Sequence, residues 1–155
     1  MSNESLQYRS ELLQSLRSFF QQRRAMEVDV PVLARSTVTD INIESINVKV
    51  FGDSGYLQTS PEYFMKRLLA CGVGDIFCLG KAFRDSEVGR RHNPEFTMLE
   101  WYRRGWDEHQ LMTEVTELIG ELVQRHTSSD LAVSKLSYAD CFIQHLGVDP
   151  HSAQL

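Results

Sequence analysis

Between Phe83 and Tyr102 the chain reads FRDSEVGRRHNPEFTMLEWY, which sets Arg84, Arg90 and Arg91 beside His92 and follows them with Phe96, Glu100 and Tyr102. An arginine fork holds a phosphate or a carboxylate through paired hydrogen bonds, and an aromatic face beside it can stack a base. Successive side chains of a strand point to opposite faces, so Phe96, Met98, Glu100 and Tyr102 share one face while Thr97, Leu99 and Trp101 share the other. A ring, a carboxylate and a phenol in a line make a poor core and a plausible ligand surface. A solvated basic hairpin with no ligand fits the same residues.

These side chains need elements to position them. Ile76 to Arg84 is strand-like, and the turn-rich link through Asp85, Ser86, Gly89, Asn93 and Pro94 predicts an antiparallel hairpin with Arg84 at its mouth, near Phe96. Ser60-Pro61-Glu62 predicts a helix start, with serine as N-cap, proline at the first helical position and a carboxylate in the first turn. That helix should run to about Cys71 and stop at Gly72. Glu62 serves either the helix dipole or a ligand, and Lys66 and Arg67 read as solvated.

Upstream, Leu6, Leu12, Leu13, Leu16, Phe19 and Phe20 recur at helical spacing, which predicts an amphipathic helix over about 5–24. Met26 to Val30 alternates as a short strand that Pro31 ends. Ser36 to Asp40 is a polar loop, Ile41 to Phe51 reads as a strand or two, Gly52 to Gly55 as a turn, and Tyr56 to Thr59 as extended. Downstream, Trp106 and Asp107 open a long helix whose stripe of Leu111, Met112, Val115, Leu118, Ile119, Leu122 and Val123 reads as core. Ser137 with Asp140 resembles a capping box for a last helix through Leu146, closed by Gly147 and Pro150.

A chain of 155 residues with 42% hydrophobic content can bury one ordinary core. The formal net charge of -5 argues against general affinity for nucleic-acid backbones. No apolar run approaches the ~18 residues a membrane span requires, and MSNESLQYRS is too polar for a signal peptide. Cys71, Cys78 and Cys141 lack metal-ligand spacing and are odd in number; Cys71 and Cys78 read as small core residues. His109, His126, His145 and His151 have no metal partners in sequence, and His92-x-x-Glu95 is poorly placed to act as a ligand pair. The expectation is a reduced, cytoplasmic, soluble protein without a metal site of its own.

The hairpin FRDSE…RHNPEFTMLEW resembles motif 2 of the class II aminoacyl-tRNA synthetases, in the form carried by lysyl-tRNA synthetases. FFQQRRAMEVDVP, Phe19 to Pro31, resembles motif 1, the dimer-interface helix and strand ending in proline. TSPEYFMKRLL, Thr59 to Leu69, resembles the segment that holds the substrate's amino group. STVTDINI and HNPEFTMLEWYR are most similar to the lysyl-tRNA synthetase paralogues that modify elongation factor P. Because the chain starts directly at the motif 1 helix, the expectation is a paralogue without the anticodon-binding OB domain.

The resemblance implies an α/β fold (α+β in stricter usage), an antiparallel sheet flanked by helices and incomplete at the C-terminus. Residues 1–155 would be the N-terminal part of a catalytic domain with motifs 1 and 2 and without motif 3, a piece inactive by itself. It also implies ATP and Mg2+, activation of (R)-β-lysine as an adenylate, transfer to a lysine of elongation factor P, and a homodimer; tRNA, DNA and membranes are not implied as partners. Carried over by position, Arg84 would hold the ATP α-phosphate and the substrate carboxylate, acting in catalysis as charge develops at phosphorus. Arg91 and His92 would contact the outer phosphates, and Asn93 and Phe96 would hold and stack adenine. Glu62 would face the substrate's main amino group, while Glu100 and Tyr102 would receive its side-chain ammonium. One position departs from the motif: its usual glutamate, two residues after the arginine, is Ser86 here, with Glu87 one step later. A conventional lysyl-tRNA synthetase fragment and a non-catalytic paralogue that binds a partner or nucleotide are the alternatives.

Overall fold

A computed structural model of the chain describes residues 2–50, 52–86, 89–90, 92–127 and 131–152. It divides into two compact units, residues 1–113 and 114–155. In the first, helix α1 (Asn3–Gln22) is capped by Ser2, whose hydroxyl accepts from the Ser5 amide at 3.2 Å. Its buried residues Ser15, Phe19 and Phe20 share one side, as the apolar spacing requires. Strand β1 (Met26–Glu27) follows, tied back to α1 by an Arg17–Glu27 ion pair at 2.9 Å.

Strands β2 (Leu33–Ala34), β3 (Asn47–Val50) and β4 (Asp53–Leu57) form an antiparallel sheet in the order β2-β4-β3. Gly52, at φ 93°, lies in the β3–β4 turn, and Gly55 sits inside β4 because a Cβ there would meet Leu33 Cδ1 at 3.1 Å. The expected turn over Gly52 to Gly55 is therefore shorter, with the strand resuming at Asp53. The β-branched run from Ile41 reaches β4 only at Ile46, whose carbonyl accepts from Leu57 N at 3.0 Å. Asp40 turns the chain instead, its carboxylate accepting from the Asn42 amide at 2.8 Å and its carbonyl from Ile43 N at 3.4 Å. Local turn chemistry wins over β propensity at these residues.

Helix α2 (Glu62–Ala70) starts as predicted, although Pro61 is the N-cap and Ser60 Oγ accepts from the Glu62 amide at a long 3.5 Å. Cys71 is its C-cap, is exposed rather than buried, and precedes Gly72 at φ 86°. The expectation of a core Cys71 fails because the helix ends at the surface, one residue short of where the apolar run suggested. Cys78 is buried, and desolvation, followed by the charges of Asp29, Glu100 and Glu27, pushes its thiol up to about 11.

Strands β5 (Ile76–Phe83) and β6 (Glu95–Tyr102) form the predicted antiparallel hairpin, with Ile76 opposite Tyr102, Cys78 opposite Glu100, Gly80 opposite Met98 and Ala82 opposite Phe96. β1 adds to β5 in parallel, so this second sheet, β1-β5-β6, is mixed. Its two faces are covered by different helices. Phe20 of α1 stacks on Phe77 at 4.8 Å and leans on Trp101 at 5.2 Å. On the opposite face Met65 of α2 joins Val30, Ile76 and Cys78 in a buried cluster against which Tyr102 packs. An Arg103–Asp75 ion pair at 3.2 Å joins the far ends of the hairpin, with the arginine side chain 2% exposed. Arg103 also donates to the Arg23 carbonyl at 3.1 Å, and the Arg104 amide donates to Asp75 at 2.8 Å.

Helix α3 (Glu108–Thr127) begins with Asp107 and Gln110 bonded reciprocally, backbone to side chain, at 2.8 and 3.0 Å. Its stripe is not the core the spacing suggested. Leu118 is buried, but Leu111, Met112 and Ile119 are exposed, because periodicity defines a face without supplying anything to cover it. In the second unit α4 (Tyr138–Leu146) has Ser137 as N-cap, its hydroxyl accepting from Asp140 N at 3.0 Å, and Gly147 at φ 69° as C-cap. Among the described residues no helix is long and apolar enough to cross a membrane.

Candidate nucleotide and amino acid site

Strand pairing on the α2 face of the second sheet assembles the site. Arg84 leaves the end of β5 with its amide donating to Pro94 O at 2.9 Å. Its guanidinium lies 5.4 Å from the Phe96 ring centre, while Nε donates to the buried Thr59 carbonyl at 3.4 Å. The predicted cation-and-ring pair therefore exists and is oriented from the segment preceding α2. The partners of Phe96 and Met98 on β5 are Ala82 and Gly80.

At the acidic end the Tyr102 hydroxyl donates to Glu100 Oε1 at 2.6 Å. Burial raises the Glu100 carboxyl; the Tyr102 hydrogen bond opposes this, Glu62 raises it further and Lys66 lowers it. Burial and the neighbouring Glu100 likewise push the Tyr102 phenol up. Glu62 belongs to the same electrostatic group and pairs with Lys66 one helical turn on, at 2.5 Å. Its hydrogen bond and charge raise the Lys66 ammonium, with Glu100 a smaller contributor. Lys66, which the sequence suggested was solvated, is exposed and pairs with Glu62. The Glu62–Lys66 spacing of four was the available signal.

A pocket beside Glu62 is lined by Ser36, Thr37 and Val38 of the STVTD segment with Gln58, Ser60 and Tyr63. Gln58 Nε2 donates to the Lys81 carbonyl at 3.3 Å, and its buried Oε1 has no partner among the described residues. His92 and Asn93 are exposed in the hairpin loop, where His92 and Gly89 exchange backbone hydrogen bonds at 3.2 Å. The Arg91 and Glu87 assignments lie outside the described residues. Among the described residues no three histidine, cysteine or acidic side chains converge to hold a metal ion.

An arginine–phenylalanine pair and an acid–phenol pair thus lie along one antiparallel hairpin. The family model for class II tRNA synthetases of the D, K and N type matches residues 1–154. The chain belongs to this family. It is 50% identical, over 97% of its length, to the elongation factor P–(R)-β-lysine ligase of Pseudoalteromonas translucida, covering 47% of that protein. It is 43% identical to the ligase of the same name from Yersinia enterocolitica and 42% to that from Hamiltonella defensa, over 94% of this chain and 45% of each relative. The chain thus spans about half the length of the curated relatives it matches.

Proposed function

We propose that this chain is the N-terminal part, with motifs 1 and 2, of a catalytic domain that activates (R)-β-lysine with ATP and passes it to a lysine of elongation factor P. The names of the relatives at 42–50% identity support the substrate and acceptor. The observation that carries the reading is the single sheet face on which Arg84 lies over Phe96 and Tyr102 donates to Glu100.

In this reading Phe96 stacks adenine with Asn93 beside it, and Arg84 bridges the α-phosphate and the substrate carboxylate. Arg91 and His92 contact the outer phosphates. In-line attack by that carboxylate requires no protein nucleophile; positioning and charge compensation by arginine supply the catalysis. The side-chain ammonium enters between Glu100 and Tyr102, and the other amino group exchanges with Lys66 for Glu62. The resemblance implies Mg2+, which would come bound to the polyphosphate of ATP and would offset its charge. A homodimer forms through the Phe19–Pro31 region, and the protein works in the cytoplasm.

ATP–pyrophosphate exchange by the full-length parent protein, run in parallel with (R)-β-lysine and L-lysine, tests the reading: exchange should be stimulated more by the β isomer. A strict L-lysine preference together with charging of tRNA would instead establish the tRNA enzyme, an outcome that the family description keeps in view.

A further inference from the structure

Gly80 stands in the interior of strand β5 at a cost that the fold does not explain. Glycine in a strand loses more conformational freedom than any other residue and brings no side chain to pack. Three structural reasons ordinarily account for it: a bulge, a left-handed backbone, or a neighbour pressed against the Cα. The β5–β6 register runs unbroken from Ile76–Tyr102 to Phe83–Glu95, so no bulge falls here. The glycines of positive φ among the described residues are Gly52, Gly72, Gly105 and Gly147, and Gly80 is not one of them. A Cβ added to it would have one described neighbour within 4 Å, Cys78 Sγ at 3.6 Å, which is ordinary contact. Gly55, by contrast, is required by Leu33 at 3.1 Å.

The reason that is left is the close approach of a ligand, and the place of Gly80 fits it. Strand alternation puts Gly80 on one face with Cys78, Ala82 and Arg84. It pairs with Met98, between the Ala82–Phe96 and Cys78–Glu100 pairs. On one side the Arg84 guanidinium lies 5.4 Å from the Phe96 ring centre; on the other the Tyr102 hydroxyl donates to Glu100 at 2.6 Å. Cys78 and Ala82 are buried, whereas Gly80 between them is partly exposed. It stands midway along the roughly 13 Å of strand that separates those two cross-strand pairs. Resting on the reading that Arg84 holds the substrate carboxylate and Glu100 its side-chain ammonium, we propose that Gly80 is a specificity-determining residue. The methylene chain of the substrate crosses the sheet face over its bare Cα, with Met98 alongside. The class of substrate admitted is an unbranched amino acid ending in an ammonium, and a side chain at position 80 would occupy the space that its chain needs.

Gly80→Ala and Gly80→Val in the full-length parent protein test this, with wild type and Glu100→Gln beside them. Each is read by urea midpoint, by calorimetric ATP affinity, and by KM and kcat for the preferred lysine isomer in ATP–pyrophosphate exchange. Alanine removes the conformational cost and meets no clash, so its midpoint should equal or exceed that of wild type. KM for the amino acid should nonetheless rise about tenfold with alanine, the scale of one extra carbon forced into a filled site, and further with valine. ATP affinity should stay within about twofold of wild type in both. An amino acid KM within about twofold of wild type in both variants, a lower midpoint for alanine, or equal loss of ATP and amino acid would overturn the proposal. If Glu100→Gln leaves KM unchanged, or wild type shows no exchange with either lysine isomer, the reading of the site itself fails and takes the proposal with it.

Discussion

Glu100→Gln separates the two ends of the site. The carboxylate accepts from Tyr102 at 2.6 Å and is raised by burial, so the fold tolerates its charge at a cost. Glutamine keeps the acceptor for the phenol and removes the charge that an incoming ammonium would neutralise. A hydrogen bond to a charged partner contributes about 2 kcal/mol, so capture of a lysine-like substrate should fall about thirtyfold. ATP, held around Arg84 and Phe96, should bind within about twofold of wild type. Stability should move the other way. A carboxyl whose folded-state pKa lies above its unfolded value destabilises the fold at pH above the folded value, and the penalty is relieved as pH falls through it. Glu100→Gln should therefore match or exceed wild type in urea midpoint at neutral pH and lose that advantage in acid. Substrate affinity of the wild type should rise with pH through the raised Glu100 titration, while the variant stays flat in that window. Calorimetric titration with substrate and with ATP, repeated across pH, reads all of this. Equal loss of both ligands would refute the assignment of Glu100 to the ammonium.

Other perturbations probe the supports. Asp75→Ala strands the buried Arg103 guanidinium and should cost about 3 kcal/mol, read as a lower urea midpoint at unchanged slope. Phe20→Ala removes a fully buried ring stacked on Phe77 and should cost about 3–5 kcal/mol in the same assay. Lys66→Met removes a charge that lowers the Glu100 carboxyl, so Glu100 should titrate higher by carboxyl-detected NMR. The same variant should bind a diamine substrate several-fold more tightly, because no internal ammonium competes for Glu62; weaker binding would show Lys66 to be a positioning residue instead.

Sequence by itself determined whatever depends on near neighbours along the chain. Alternation placed Phe96, Glu100 and Tyr102 on one face of β6, since strand side chains alternate whatever surrounds them. Caps and stops were legible for the same reason: Ser137, Gly72 and Gly147 act on amides and carbonyls within a turn of themselves. The hairpin was legible because its turn residues lie between two strand-like runs.

Tertiary structure decided what depends on distant segments. Whether an apolar stripe is covered cannot be read from its own period, so α3 leaves Leu111, Met112 and Ile119 exposed and α2 ends with Cys71 at the surface. Glu62 and Lys66 pair within α2, but the charge of Glu100 reaches them only across the fold. Glu44 reached Ser86 because a turn at Asp40 overrode the strand propensity of the residues after it. The local pattern specified which side chains could do chemistry; pairing across the sheet, between residues far apart in the chain, set which of them meet.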